Sequence, residues 1–358
     1  MLILTNEDVE QILVMPDCVA ALEEAYRDFG NQDAAESPRQ DVLVDNQRPE
    51  AVHAFKTMSG SWPRAGVTAL RLNSDIVSWP EVNGAPRRVK LPVSDGNRYN
   101  GMVLLFSTDT GQLLCTFNDG YTQKTRVGGS SGVAAKYLSR EDSTVLGLLG
   151  SGWQAGAQVE AMCAVRDIKR LQVYSPTGQN STALARTYGE KLGIEAVAVS
   201  TPKEAARDAD ILVSATNSMI PTITHDLIRP GMHVTSVRGS EIPLDVLQGL
   251  DRLVVNTSQP VTANAARGKP SEVPEFINGD YSRPDIDVID FSKVPELKDV
   301  VAGHAPGRQS ADEMTGFHNY KGLGLQFAAM GSIIYREAVS RGLGFAVEDH
   351  YFTQDVHP

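Results

Sequence analysis

The sequence predicts an α/β fold in which a Rossmann dinucleotide-binding domain is inserted in a discontinuous α+β domain. Three observations predict it. The strand-like run Thr144-Val145-Leu146-Gly147-Leu148-Leu149 feeds directly into Gly150-Ser151-Gly152-Trp153-Gln154-Ala155, and a helical segment follows. From there to Asn256, short apolar strands alternate with helices, the pattern of a parallel sheet covered on both faces. Finally, an apolar helix over residues 322–338, containing Gln326-Phe327-Ala328-Ala329-Met330, returns to the style of the first third and can pack back on it.

The first third reads as mixed structure. Asp17 is placed to cap a helix through Val19-Ala20-Ala21-Leu22-Glu23-Glu24-Ala25-Tyr26. A polar stretch over residues 31–38 reads as a connection. Val67-Thr68-Ala69-Leu70-Arg71-Leu72 reads as a strand, and the runs 102–106 and 113–117 as a hairpin turning at Asp109-Thr110-Gly111. Residues 80–100, rich in Pro, Gly and Arg, read as an extended loop. Gly132–Leu138 reads as a helix. The alternating region then offers strands at 144–149, 171–174, 196–199, 211–215, 233–237 and 253–256, with helices at 154–165 and 181–192.

Composition narrows the function. With 358 residues the chain suits about two domains. The three cysteines, Cys18, Cys115 and Cys163, are far apart, so no metal site is expected, and a reducing cytoplasm is. A net charge of −11 argues against nucleic acid as a partner. No window approaches the roughly 20 apolar residues of a membrane span, so no membrane association is expected.

The turn carries a specific physical logic. Gly150 permits a tight bend, Gly152 lets the backbone approach a pyrophosphate, and Ala155 lets helix and strand pack closely. Trp153 and Gln154 lie between them, and the helix N-terminus faces the anion. An ordinary Gly-rich turn is the alternative; the strand before it and the helix after it favour the cofactor. At the end of the second strand an NAD site normally places an acidic residue on the ribose. Here the residues are Ser175-Pro176-Thr177-Gly178-Gln179-Asn180, with no carboxylate to repel a 2′-phosphate. Ser175, Thr177 and Asn180 can donate to one, so NADP(H) is favoured, with NAD(H) as the alternative. Ala215, Thr216 and Asn217, at the end of the fourth strand, can touch the cofactor near its nicotinamide.

Several segments in order resemble the ornithine cyclodeaminase/mu-crystallin family. They are Arg126-Val127-Gly128-Gly129, Ala134-Ala135-Lys136-Tyr137-Leu138, the Gly150 turn and Pro230-Gly231-Met232-His233-Val234. Beyond these lie Gly303-His304-Ala305-Pro306-Gly307-Arg308, Glu313-Met314-Thr315-Gly316-Phe317 and Gly322-Leu323-Gly324-Leu325-Gln326-Phe327. The resemblance implies a homodimer. It implies a Rossmann domain over 129–318 and a substrate-binding and dimerisation domain from 1–128 and 319–358. It also implies chemistry at the C=N bond of small α-imino or amino acids with NAD(P)(H), either reduction or ornithine cyclodeamination. A mu-crystallin-like protein that only binds NADPH or a small ligand is the non-enzymatic alternative.

Site residues follow from the resemblance. Arg39, in Ser37-Pro38-Arg39, matches the arginine that holds the substrate carboxylate, a role suited to a planar two-pronged donor. Arg71 stands where the family has a lysine; it can anchor or polarise a substrate but not relay a proton. Lys56 is the alternative ammonium. Arg126 matches an arginine just before a helix, contacting substrate or cofactor; Thr122, Gln123 and Lys124 before it are candidates to line the same site, with the polar end of a strand as the alternative, favoured for Lys124. Ser240 takes the position of the cyclodeaminase's catalytic aspartate, and a hydroxyl is a poor base. That favours an imine reductase or amino-acid dehydrogenase; Glu241 and Asp245 stay open as substitute carboxylates, though capping or solvated charge before a helix is the preferred reading of both. His53 and His318 are candidate proton donors. Arg87, Arg88 and Lys90 make residues 80–100 a candidate specificity loop.

Overall fold

The computed structural model describes residues 1–48, 51–82, 84–259, 261–265, 289–319 and 321–356. The chain opens with β1 (Leu2–Leu4), α1 (Asn6–Ile12) and α2 (Met15–Gly30). Strands β2 (Ala35–Asp45), β3 (Ala51–Trp62) and β4 (Val67–Ser78) follow, then the short β5 (Glu81–Val82), β6 (Ala85–Pro86) and β7 (Val89–Leu91). A hairpin of β8 (Asn100–Ser107) and β9 (Leu113–Asn118) leads into α3 (Asp119–Leu138). The alternating half runs β10 (Val145–Leu149), α4 (Ala155–Val165), β11 (Arg170–Tyr174), α5 (Gly178–Leu192), β12 (Glu195–Val199) and α6 (Pro202–Ala206). It continues with β13 (Ile211–Ser214), β14 (His233–Ser236), α7 (Leu244–Gln248), β15 (Arg252–Val255) and β16 (Thr262–Ala265). The last elements are α8 (Leu297–Val301), β17 (Thr315–His318), α9 (Gly324–Arg341) and β18 (Phe345–Ala346).

Two large sheets result. A seven-stranded, all-parallel sheet has the order β12-β11-β10-β13-β14-β17-β15. The chain reverses direction across it between β10 and β13, so a crevice opens at their carboxyl ends. Its two faces are covered by separate apolar layers, one under α4 and α5 and one under α6 and α7. The other sheet runs β16-β2-β3-β4-β8-β9-β1-β18, with β7 on the edge of β4. Helices α2, α3 and α9 pack on its inner face around Tyr26, Leu105, Phe117 and Phe327. The expected return of the late apolar helix to the first third is what the chain does.

Several expectations change. The helix read as starting at Gly132 begins at Asp119, so Thr122, Gln123, Lys124 and Arg126 lie on α3 rather than on a strand end or before a helix. Glycines at 128, 129 and 132 hid it, because they read as a loop. They are there for packing: a Cβ on Gly128 would sit 2.5 Å from the Ala157 carbonyl oxygen, and one on Gly132 3.1 Å from that of Ala161. Helix α3 thus lies directly on α4, and it runs unbroken through the 128/129 boundary expected between domains. Asp17 does not cap α2; Val14 is the N-cap and Asp17 sits in the first turn, where its charge suits the helix dipole. Residues 35–38 of the polar stretch before Arg39 belong to β2, which is bulged between Ser37 and Gln40, and 31–34 are the turn into it. Residues 80–100 contain β5, β6 and β7. Strand β16, from within the segment expected to be Rossmann, pairs with β2 in the other sheet.

Glu241 ties the crevice together. It is fully buried. Its Oε1 accepts from Ser214 Oγ (2.8 Å), Thr216 N (2.6 Å) and Thr216 Oγ1 (2.9 Å), and its Oε2 from Val237 N and Arg238 N (both 2.9 Å). The carboxylate therefore clamps the loops that leave β13 and β14.

Two outcomes follow for stability. Glu241→Ala leaves the Thr216 and Arg238 N–H groups without an acceptor, while Val237 N keeps the Ser214 carbonyl; each lost acceptor is worth about 1–3 kcal/mol, and the melting temperature should fall by several degrees. Gly128→Val forces a methyl-bearing carbon into the Ala157 carbonyl and should cost about 1–3 kcal/mol or more, read by denaturant unfolding. A Gly128→Val protein as stable as the parent would show that α3 and α4 can separate freely.

Candidate active site

The dinucleotide turn sits at the crevice. Gly150 has φ +108, a conformation that only glycine adopts readily, and a Cβ there would lie 2.4 Å from the Ala215 carbonyl oxygen. Gly152 is different: a Cβ there would meet no protein atom within 4 Å. Packing does not require that glycine, whereas close approach of a pyrophosphate does. Ala155 opens α4 and is buried. Gln154 occupies the N-cap position without a side-chain cap, so the helix end is left for an anion. Trp153 is 61% exposed, and Lys124 Nζ of α3 lies 4.8 Å from its ring centroid. The residues present fit a nicotinamide dinucleotide.

The remaining cofactor candidates lie at the carboxyl ends of neighbouring strands. Ser175 follows β11, Thr177 is the N-cap of α5, and Asn180 is in its first turn, exposed. Ser175 Oγ and Thr177 Oγ1 are 3.5 Å apart. Ala215, Thr216 and Asn217 leave β13 beside Gly150, with Thr216 held by Glu241.

On the other sheet, β-register sorts the charged candidates. Met58 of β3 is opposite Arg71 of β4, and Lys56 opposite Asn73. Asp41 of β2 is opposite Lys56. Partners across a ladder share a face, so Asp41, Lys56, Arg71, Asn73 and Asp75 all line the inner face. His53 is an odd number of residues from Lys56 and projects from the outer face, where its Nε2 meets Ser74 Oγ at 3.0 Å. It does not reach the site.

Arg71 and Arg126 are brought together although 55 residues apart in sequence. Their guanidinium carbons lie 5.6 and 5.3 Å from the centroid of the same ring, Phe327 of α9. Arg71 is held by Asp119, the first residue of α3: Nε and Nη2 donate to Oδ2 at 2.8 and 2.7 Å. Asp119 lies over Gly101, where a Cβ would be 1.9 Å from Oδ1. Arg126 has no carboxylate partner among the described residues. Its Nη1 donates to the neutral Gln326 Oε1 at 2.7 Å, and its Nε is buried without an acceptor. Burial first, then the like charge of Arg71, holds its pKa well below the ordinary guanidinium value; Asp119 pulls the other way, and Arg39 adds repulsion. All three arginines therefore share one field. Arg39 also makes a two-pronged pair with Asp41, Nε to Oδ1 at 2.8 Å and Nη2 to Oδ2 at 2.6 Å.

A buried polar network fixes Arg126 from behind. Gln326 Nε2 donates to Tyr26 Oη (2.8 Å) and Ser130 Oγ (2.7 Å), and Tyr26 Oη donates to Asn256 Oδ1 (2.6 Å). Asp119, Gln326 and Tyr26 had no signal in the sequence. Asn118-Asp119-Gly120 reads as a turn, and the other two read as one polar and one aromatic residue in helices.

The other candidates take different places. Ser240 Oγ donates to the Ser218 carbonyl at 3.1 Å, at the crevice rim. Glu241 is saturated by five donors, which leaves it a structural clamp rather than a base. Asp245 is exposed and pairs with His225 Nε2 at 2.9 Å. His318 is buried at the end of β17, stacked on Phe291, and burial pushes it down to about 3, so it has no imidazolium proton to give near neutral pH. Thr122 and Gln123 present buried oxygens without partners on α3. Arg87 makes an isolated bridge with Ser218, and Lys90 Nζ lies 2.9 Å from Asp75 Oδ1. The segment 80–91 thus spans from the inner face to the crevice. No cluster of His, Cys, Asp or Glu among the described residues could hold a metal, and no helix there is long and apolar enough to cross a membrane.

Comparison with known proteins agrees with this architecture. A Delta(1)-pyrroline-2-carboxylate reductase of Bacillus cereus is 30% identical over 254 residues, 70% of this chain and 74% of the relative. The solved structure of the Thermococcus litoralis Delta(1)-pyrroline-2-carboxylate reductase, in complex with NADH and L-proline, superposes with a TM-score of 0.77. It is 27% identical, and the match covers 97% of this chain and 100% of that one. An archaeal alanine dehydrogenase dimer with bound NAD gives a TM-score of 0.75 at 25% identity, covering 97% and 99%. The profile of the ornithine cyclodeaminase/mu-crystallin family matches residues 1–342, and the chain belongs to that family.

Proposed function

We propose that this protein is an NAD(P)H-dependent reductase of the C=N bond of an α-imino acid, working as an imine reductase or amino-acid dehydrogenase. The observation that carries this reading is Arg126: a buried guanidinium bonded to a neutral amide, beside a second arginine, with no carboxylate of its own. Burying an uncompensated cation is costly. An α-carboxylate from a substrate supplies the missing negative charge.

In this reading the seven-stranded sheet and its helices hold the dinucleotide, and the nine-stranded sheet with α2, α3 and α9 holds the substrate. Arg126 and Arg71 grip the carboxylate over Phe327, Asp119 fixes the angle of Arg71, and Gln326 fixes Arg126. Arg39 adds to the field, and Lys56 lies on the same face. Orientation of this kind converts an encounter into a near-attack geometry. A nicotinamide held at the Gly150 turn would supply the hydride that the imine carbon accepts. The π electrons of a protonated C=N⁺ move onto nitrogen, giving a neutral amine that then takes a proton from water. Ser240 at the rim offers a hydroxyl rather than a base, and Glu241 is occupied. Both features speak against the cyclodeaminase alternative, whose ammonia release is served by a carboxylate there. A protein that only stores NADPH is disfavoured by the same unbalanced arginine.

The absence of an acid after β11 supports NADP(H) over NAD(H). A second copy of the chain is the natural cover for the outer face of the nine-stranded sheet. There Val42 of β2, Phe55 of β3 and Met102 of β8 are 46%, 37% and 42% exposed. A homodimer with each site in its own chain fits these observations.

Nucleotide titration tests the cofactor reading. Trp153 fluorescence should change on adding NADPH, with a lower Kd than for NADH; tighter NADH binding would reverse the preference. For the reaction, imines formed from α-keto acids and amines should oxidise NADPH, and Arg126→Ala should raise KM about tenfold to a hundredfold, since a charge-assisted contact is worth about 1.5–3 kcal/mol. Ornithine converted to proline and ammonia without net NAD(P)H would replace this reading with the cyclodeaminase one.

A further inference from the structure

Helix α3 serves two sites with two faces. On one face, Lys124 Nζ lies between the rings of Tyr121 and Trp153, 5.3 and 4.8 Å from their centroids. On another, Asp119, Arg126 and Ser130 reach Arg71 of β4 and Gln326 of α9. Thr122 belongs to this second face. It comes three residues after Asp119 and four before Arg126. That spacing puts Cβ atoms about 5–6 Å apart on one side of a helix.

The hydroxyl of Thr122 is set apart by its lack of a partner. Thr125 and Ser130, on the same helix, donate theirs back to the carbonyls of Tyr121 and Arg126, both at 2.9 Å. Thr122 is 0% exposed, and its Oγ1 has no hydrogen-bond partner among the described residues. One turn on, Arg126 Nε is buried and equally without an acceptor. Leaving such groups unpaired is costly, and valine would take the Thr122 position with the same shape and without that cost. Two buried donors one turn apart thus lack the same thing, and one anionic oxygen can accept from both. A neutral third donor also suits the place. Arg71 and Arg39 already repel Arg126, and a further cation would add to that field.

We propose that Thr122 is a substrate-binding residue, its hydroxyl donating to the carboxylate oxygen that Arg126 Nε also holds. This rests on the imine-reduction reading and adds an uncharged donor to the arginine pair.

The test uses Thr122→Val, which keeps the shape, and Thr122→Ser, which keeps the hydroxyl. With the α-keto acid and amine that wild type turns over best, Thr122→Val should raise KM about tenfold or more and leave kcat within about threefold. Thr122→Ser should stay within about threefold of wild type in both. The Kd for NADPH should be unchanged, and Thr122→Val should melt no lower than the parent. A KM unmoved by Thr122→Val, or raised and not restored by Thr122→Ser, overturns the assignment and leaves the reductase standing. So does a Thr122→Val protein that melts well below the parent, because the hydroxyl then serves the fold. If no imine is reduced, the reductase reading falls, and titration of the NADPH-loaded protein with pyruvate judges Thr122 alone. Weaker binding in Thr122→Val than in wild type and Thr122→Ser upholds the contact; equal binding, or none in wild type, overturns it.

Discussion

The close contact between α3 and α4 is the constraint on which the rest depends. Gly128 and Gly132 remove the side chains that would hold the two helices apart, so the α3 backbone lies against the Ala157 and Ala161 carbonyls. One end of α4 is the pyrophosphate turn. The same stretch of α3 carries Asp119, Lys124 and Arg126. Lys124 stands over Trp153 of the turn, and Arg126 points to Phe327 in the other half. A single rigid element therefore sets the distance between the Gly150 turn and the Arg71–Arg126 pair, the two anion sites proposed for cofactor and substrate. Side-chain cushions between the helices would let that distance vary.

Electrostatics explains why the site is built from paired and unpaired cations together. Arg71 is neutralised and aimed by Asp119, so it acts as a fixed donor. Arg126 is left with neutral partners and keeps its demand for an anion. Pairing both arginines would remove the drive to bind a carboxylate; pairing neither would be too costly in a buried place. Glu241 shows the opposite use of a buried charge. Its five donors hold two loops in place, and the bond set that makes it a good clamp makes it unavailable for proton transfer.

The sheet register does work that composition does not reveal. Lys56, Arg71, Asn73 and Asp75 are ordinary polar residues in sequence, scattered among apolar neighbours. Only the alternation of β3 and β4, and their alignment, puts them on one face and sends His53 to the other. The seven-stranded sheet has less of this ambiguity, because its central strands β10, β13, β14 and β17 are buried on both faces.

The sequence alone determined the dinucleotide half. Its signals are local: a strand, a Gly-x-Gly turn and a helix within some twenty residues, followed by short apolar runs whose spacing dictates a parallel sheet. It also supplied the family resemblance and, through it, the three arginines. What only the tertiary structure decided is which groups meet. Helix α3 was half hidden by glycines, because their purpose, contact with α4, lies outside the helix itself. Asp119, Gln326 and Tyr26 were invisible because their partners are distant in the chain. Glu241 read as a capping or solvated charge, with a substitute base as the alternative, until donors from Ser214 and Thr216, far away in the chain, were seen to join Val237 and Arg238 in occupying it. Local patterns record backbone conformation; charge pairing over long separations is settled only when the sheets and helices close on one another.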